Sequence, residues 1–273
     1  MENRYARSCT VTWWQSVITP TFYTWIVPRR LGQHFLIRDS ILERLASAAC
    51  GDHVPRVVEI GPGRGALTRH LLPLTDELHV IELDRALAAY LHDQCKDDPK
   101  LHVHEADVLA TDLSQWGEAV VVGNLPYYIT SPIIEKFLAL DRRFSSAVFL
   151  MQWEVAQRIL ARPGSRDYGY LTVAVQLRCD AKLVVKVPPS AFAPPPMVDS
   201  AAVHMERKEQ QPDNIDQLLT FVGRCFQHKR KTLRNNLRPF YAEAVESWPE
   251  AGLRAEQLTI EQFVELHSRI CSP

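Results

Sequence analysis

The stretch Arg56-Val57-Val58-Glu59-Ile60-Gly61-Pro62-Gly63-Arg64-Gly65 constrains the fold more than any other part of the sequence. A short β-branched run stops at a cluster of glycines, and an amphipathic pattern carried by Leu67, Leu71 and Leu72 follows. The order strand, glycine turn, helix opens an α/β unit, in which glycine lets the backbone approach a ligand and the helix start offers free amides.

The alternation continues along the chain. Leu78 to Glu82, Leu101 to His104, Ala119 to Val122 and Ala147 to Met151 read as strands. Ser40 to Ala49, with Asp39 or Ser40 as N-cap, Arg85 to Cys95, Ile133 to Leu140 and Trp153 to Leu160 read as helices. Strands and helices in this rhythm build a parallel sheet covered on both faces. Tyr170 to Leu177 and Ser200 to Met205 read as two later strands, separated by the Pro-rich segment Pro188 to Pro196. From about Gln210 the pattern is helical only, through Leu218 to Arg238 and Ile260 to Ile270. The expected organisation is an extension over 1–28, a catalytic α/β domain over 29–208 and a small helical domain over 209–273.

Composition narrows the class. A content of 46% hydrophobic and 23% charged residues is that of a soluble globular chain, and no apolar run approaches the ~20 residues that span a membrane. The six cysteines (Cys9, Cys50, Cys95, Cys179, Cys225 and Cys271) are scattered without C-x-x-C spacing. That argues against a zinc site or a disulfide framework, so no metal is expected and a reducing, cytoplasmic location is. The first 28 residues mix Trp13, Trp14, Phe22, Tyr23 and Trp25 with Ser, Thr and Pro and carry no secretory pattern. They read as a weakly ordered extension.

Three features form a nucleotide site in order. The glycine turn at Gly61 and Gly63 comes first. Glu82, which ends the second strand 21 residues after Gly61, can accept hydrogen bonds from ribose hydroxyls. Asp107, after the third strand, can accept one from the amino group of a bound adenine. The spacing departs from the dinucleotide fingerprint because the third glycine falls one residue early.

The fourth strand runs directly into Gly123-Asn124-Leu125-Pro126-Tyr127-Tyr128. Strand carboxyl ends are where open α/β sheets bind ligands. The lone pair of an adenine amine is delocalised into its ring. The Asn124 side-chain oxygen and the Leu125 carbonyl could each accept one of its N–H bonds and hold the nitrogen in line with a sulfonium methyl group. Pro126 stiffens the turn, and Tyr127 offers a ring face to a flipped base. The methylated ammonium product is acidic, so no strong base is needed and catalysis rests on positioning.

Together these residues resemble the KsgA-type ribosomal RNA adenine N6,N6-dimethyltransferases, from Leu31 onward. Gly32-Gln33-His34-Phe35-Leu36 is similar to the family's N-terminal motif, and Val58 to Gly65 to its glycine turn. Asn124 to Ile134 is similar to its catalytic segment, and Phe192 to Ser200 to its late F-x-P-x-P-x-V-x-S motif. The resemblance implies a seven-stranded Rossmann-like sheet with one antiparallel strand and a small α-helical C-terminal domain. It implies S-adenosylmethionine as methyl donor, bound by His34, Leu36, Gly61, Gly63, Glu82, Asp107 and Asn124. Phe192 would stack on the target base opposite Tyr127, although by itself it reads equally well as a packed anchor of a Pro-rich loop. The implied substrate is a pair of adjacent adenines near the end of small-subunit rRNA, free or in an assembling subunit, met by a monomer.

The net charge of −1 hides a local bias. Arg224, Lys229, Arg230, Lys231, Arg234 and Arg238 occur with no acid between them. At about 100° per residue, Arg224, Lys231, Arg234 and Arg238 fall on one face of a continuous helix, opposite Val222, Phe226, Leu233 and Leu237. Such a stripe suits RNA phosphates. The rival readings are a large-subunit rRNA methyltransferase of the macrolide-resistance kind, a non-catalytic RNA-binding factor and an NAD-dependent oxidoreductase. Leu125 and Pro132 disfavour the first, intact Asn124, Tyr127 and Glu82 the second, and the glycine spacing the third.

Overall fold

A computed structural model describes residues 34–140, 143–212 and 214–271. The N-terminal extension, with Gly32 and Gln33, lies outside the described residues. Nine strands are present among those described: β1 (Phe35–Leu36), β2 (Val54–Ile60), β3 (Thr75–Glu82), β4 (Leu101–Glu105), β5 (Ala119–Asn124), β6 (Phe144–Gln152), β7 (Cys179–Val187), β8 (Phe192–Ala193) and β9 (Ser200–Arg207). Seven form one sheet in the order β4-β3-β2-β5-β6-β9-β7. β9 runs antiparallel to both β6 and β7, and the other pairings are parallel. β1 and β8 form a separate antiparallel pair.

The sheet folds this way because its central strands are apolar on both faces, as buried parallel strands must be. On one face Val58, Ile60, Val121 and Phe149 pack with Ile133 and Phe137 of α4 (Thr130–Ala139), Ile159 of α5 (Trp153–Ile159) and Val175 of α6 (Tyr170–Arg178). On the other, Val57, Val80, Val122 and Val148 pack with Leu42 and Leu45 of α1 (Asp39–Cys50). α1 begins at Asp39 with Arg38 in the cap position. Asp39 is therefore not the expected N-cap; its carboxylate takes Arg69 and, at 2.9 Å, His70.

Two expectations are corrected. Tyr170 to Leu177 is helix α6, not a strand. Its apolar residues are shared between two cores: Ala174 and Val175 pack toward the sheet, Val173 and Leu177 toward the C-terminal helices. A helix buried on both sides shows an apolar run that periodicity cannot tell from a strand. The strand that does occur here, β7, is an edge strand carrying Lys182 and Lys186, so it lacks the apolar signature of the central ones.

The second correction concerns Leu218 to Arg238. This stretch is two helices, α7 (Ile215–Cys225) and α8 (Leu233–Tyr241), with a non-helical joint between them. Asn236, 2% exposed, donates its amide to the carbonyls of Cys225 (2.8 Å) and His228 (3.2 Å), satisfying backbone groups where α7 ends. Phe221, Leu237 and Trp248 form the core here with Phe263 and Leu266 of α9 (Ile260–Cys271).

One glycine is fixed by space. Gly123 pairs with Ile60, and a Cβ on it would lie 2.7 Å from the Ile60 carbonyl oxygen. Gly123→Ala must spread β2 from β5 or shift the end of β5. The expected loss is about 1–3 kcal/mol, the usual range for overpacking, seen as a lower thermal midpoint in calorimetry; an unchanged midpoint would contradict this packing.

Candidate active site

Parallel register brings the carboxyl ends of four strands together: Ile60 lies beside Ile81 and Gly123, and Glu82 beside Glu105. The glycine turn leaves β2 with Gly61, Gly63 and Gly65 at φ of 67°, 58° and 79°, a left-handed backbone that side chains resist. The Gly61 amide donates to the Ile81 carbonyl at 2.9 Å. Phe35 packs against the turn so closely that a Cβ on Gly63 would lie 2.9 Å from its ring. The Arg64 guanidinium sits 5.5 Å from that ring's centre.

Glu82 is 5% exposed at the end of β3. Its carboxylate accepts the Gly63 amide at 3.0 Å and the Asp84 amide at 2.9 Å. Burial pushes its pKa up, and the two amides pull it back toward the ionised form. Asp84 in turn caps α3 (Arg85–Gln94) by accepting from Ala86 and Leu87, which fixes the turn that holds Glu82. Asp107 follows β4 and is exposed. One carboxylate oxygen accepts the Leu109 amide at 2.8 Å, and the preceding Ala106 amide binds the Glu82 carbonyl at 3.0 Å.

Asn124 ends β5 next to the glycine turn; a Cβ on Gly61 would stand 3.7 Å from the Asn124 carbonyl oxygen. Its side-chain Nδ2 donates to the His34 carbonyl at 3.0 Å. A carbonyl only accepts, so this bond fixes the amide orientation and leaves Oδ1 as an acceptor. The Leu125 amide is held by the Leu150 carbonyl at 2.9 Å, and its side chain is 1% exposed. The Pro126 carbonyl accepts the Ile129 amide and the Thr130 hydroxyl, each at 3.1 Å. The Tyr127 hydroxyl meets the buried Ser200 hydroxyl at 2.7 Å, and its ring stacks on His34 with centroids 5.7 Å apart. Burial raises the phenol's pKa and keeps it protonated. His34 Nδ1 donates to the Pro194 carbonyl at 2.9 Å.

The structure thus joins His34 to Asn124 and Tyr127, and Gly63 to Glu82, at neighbouring strand ends, with Gly61 bonded to Ile81 between them. Two further expected site residues lie in the core. Leu36 and Phe192 pair across β1 and β8, and each is 3% exposed in the core beside α1. Strand alternation turns both inward while Ala193 on β8 faces solvent. The Phe192 ring and the Leu36 side chain are thus packed as the anchors of the β1–β8 pair.

The cationic stripe does not survive the break between α7 and α8. The Arg224 guanidinium lies 4.4 Å from the centre of the Phe240 ring and donates to the Tyr241 hydroxyl at 2.6 Å, tying α7 to α8. Arg234 pairs with Glu246 at 2.9 Å, and Lys229 donates to the Arg166 carbonyl at 2.6 Å. Arg230, Lys231 and Arg238 stand exposed.

Sequence reasoning overlooked Ser200, whose partner lies 73 residues away. It also overlooked Glu59, although a charged residue inside an apolar strand was a visible signal. Glu59 is 1% exposed and accepts the Thr68 hydroxyl at 2.7 Å. Among the described residues no group of His, Cys, Asp or Glu is arranged to hold a metal ion, and no helix is long and apolar enough to cross a membrane.

The chain has clear relatives. A model described as ribosomal RNA adenine dimethylase matches residues 27–271. A ribosomal RNA small subunit methyltransferase A from Alcanivorax borkumensis is 40% identical over 247 residues, covering 87% of this chain and 88% of that one. One from Chlorobium luteolum is 39% identical over 244 residues, covering 88% of each. Among solved structures, a dimethyladenosine transferase from Plasmodium falciparum superposes with a TM-score of 0.75 at 29% identity, covering 85% of this chain and 96% of that one. The 23S rRNA methyltransferase ErmE superposes with a TM-score of 0.70 at 28% identity, covering 87% and 100%. Sheet order, glycine turn and the Asn124 segment define a Rossmann-like methyltransferase. The chain belongs to the ribosomal RNA adenine dimethylase family and is, with it, an rRNA adenine dimethyltransferase.

The buried acid beneath the glycine turn gives a pH test. Desolvation, opposed by the Thr68 bond and reinforced by the charge of Glu82, pushes Glu59 from 4.5 up to about 8. A raised carboxyl holds its proton in the folded state and releases it in the unfolded one. Its contribution to stability is therefore full below pH 4.5 and is lost as pH rises through about 8. Denaturation of the protein and of Glu59→Gln across this range should give a difference curve that falls with rising pH; a flat one would contradict the buried, protonated acid.

Proposed function

We propose that this chain transfers methyl groups from S-adenosylmethionine to the N6 amines of two adjacent adenines near the 3′ end of small-subunit rRNA, within cytoplasmic subunit maturation. The observation that carries the proposal is the bond from Asn124 Nδ2 to the His34 carbonyl, because it engages the amide's donor end and fixes its orientation while Oδ1 keeps its acceptor capacity. With the Leu125 carbonyl it can hold both N–H bonds of an exocyclic amine. Tyr127, steadied by Ser200 and His34, offers the ring on which an extruded base would stack.

The donor fits the residues present. Gly61 and Gly63 hold the turn in a left-handed backbone that favours glycine and keep it against Asn124 and Phe35, and Glu82 is a buried carboxylate already oriented by two amides. Glu82 would take ribose hydroxyls, Asp107 an adenine amino group, and the His34 and Leu36 segment would close the site through its backbone. When bound, S-adenosylmethionine supplies an activated methyl group on a sulfonium. Asn124 and Leu125 aim the amine's lone pair at it, and the resulting ammonium gives its proton to solvent. Catalysis is positioning in a preorganised polar site.

We take 29–208 as the catalytic unit and 209–273 as the unit that meets RNA, with the chain acting as a monomer. Arg230, Lys231 and Arg238 would contact phosphates, while Arg224 and Arg234 brace the helices that present them. The likeness to ErmE favours one second reading, adenine methylation in large-subunit rRNA. The relatives called small subunit methyltransferase A, at about 40% identity, weigh more.

Two experiments test the proposal. Labelled methyl transfer to small subunits lacking dimethyladenosine should fall at least about 100-fold for Asn124→Ala, the scale for removing a preorganised polar group; equal rates would remove Asn124 from the centre. Combining Lys231→Glu with Arg238→Glu should weaken rRNA binding and make the slope of log affinity against log salt shallower, by about 0.7–0.9 for each phosphate no longer neutralised. S-adenosylmethionine binding should not change. An unaltered slope would place the RNA elsewhere.

A further inference from the structure

The turn after β5 leaves one aromatic side chain unaccounted for. Tyr127–Ile129 is a single 3-10 turn, and at about three residues per turn its side chains leave in three directions. Tyr127 reaches back to Ser200, and Ile129 packs against the sheet core. Tyr128 takes the third direction and is 59% exposed. On the other side of the Tyr127–Ser200 bond, Met197 is 100% exposed and Val198 46% exposed, on the segment that leads into β9.

That segment is held firmly. The Asp199 carbonyl accepts the Trp153 amide at 2.9 Å, the Asp199 carboxylate pairs with Lys186 at 2.7 Å, and Ser200 meets Tyr127. Three large apolar side chains therefore stand in solvent within three residues of the Tyr127–Ser200 bond, on backbone that is already ordered. A side chain on ordered backbone has less freedom to lose on binding than one on a loose segment.

We infer that Tyr128 is a stacking ledge for the base of the nucleotide next to the adenine in the crevice. The inference rests on the function proposed above and adds a substrate contact to it. When one adenine of a strand is extruded, its neighbour loses a stacking partner and cannot follow into the same crevice. An aromatic face at the rim replaces that partner, whatever the base, since every base has a π-face. The ledge thus contacts the polynucleotide and not the donor.

A double-mutant cycle between protein and RNA tests this. The substrate is a small subunit reconstituted on rRNA lacking dimethyladenosine, intact or with an abasic nucleotide on one side of a target adenine, each side in turn. On intact RNA, Tyr128→Ala should lower kcat/KM about tenfold, within the range expected for removing one base–aromatic stack, whereas Tyr128→Phe should retain activity. On the side the ledge serves, the abasic RNA should cost the unaltered protein a similar factor, and Tyr128→Ala should then add less than about twofold. S-adenosylmethionine affinity should be the same throughout. Full activity of Tyr128→Ala, or losses that multiply independently on both sides, overturns the ledge while leaving the proposed reaction standing. Failure of the unaltered protein to methylate any of these RNAs overturns the reaction, and the ledge with it.

Discussion

Phe35 and Leu36 pair with Ala193 and Phe192 in a ladder only two residues long, and the geometry of the site depends on it. Leu36 and Phe192 bury their side chains under the sheet's α1 face and anchor the ladder. This carries His34 across to the end of β5. From there its carbonyl orients the Asn124 amide, its ring lies against Tyr127 and its Nδ1 holds Pro194. A residue far from the crevice in sequence thereby orients the Asn124 amide and leaves Oδ1, its side-chain acceptor, unused by this bond. Loosening the ladder would release these three interactions together, so its apolar anchors matter to the chemistry without touching it.

The same end of the sheet concentrates negative charge in a poorly solvated place. Glu59 and Glu82 are both nearly inaccessible, and each is pushed toward its neutral form by burial. They differ in how they are satisfied. Glu82 has two backbone amides and is held ready to accept further donors, whereas Glu59 has the Thr68 hydroxyl and behaves as a buried acid. Two carboxylates near one glycine turn are compatible because one of them need not be charged.

Much of this is legible in the sequence. β2, β3, β5 and β6 are readable because each carries a short apolar run bounded by turn signals, β4 shows through its place in the strand–helix rhythm, and the glycine turn and Asn124 segment declare themselves by position after such runs. The departures have physical causes. Tyr170 to Leu177 lies between two cores, which hides its helical period, and β7 is a charged edge strand. Strand alternation buries Phe192 and Leu36, which their motifs alone do not show. The bond between Asn124 and His34 spans 90 residues and no local pattern announces it. Arg224 reads as a phosphate contact until the fold places Phe240 and Tyr241 against it.

The helical end of the chain completes the division of labour. The expected single helix is two, with Asn236 satisfying carbonyls where the first ends, so the exposed cations sit on a joint and a short helix and not along one stripe. What the protein does is decided by where the methyl groups go. The most direct measurement is mass-spectrometric mapping of nuclease digests of both ribosomal RNAs after reaction with the purified protein. The expected result is two adjacent N6,N6-dimethyladenosines near the 3′ end of small-subunit rRNA. Methylation confined to large-subunit rRNA, or at a position other than the exocyclic amine, would contradict it.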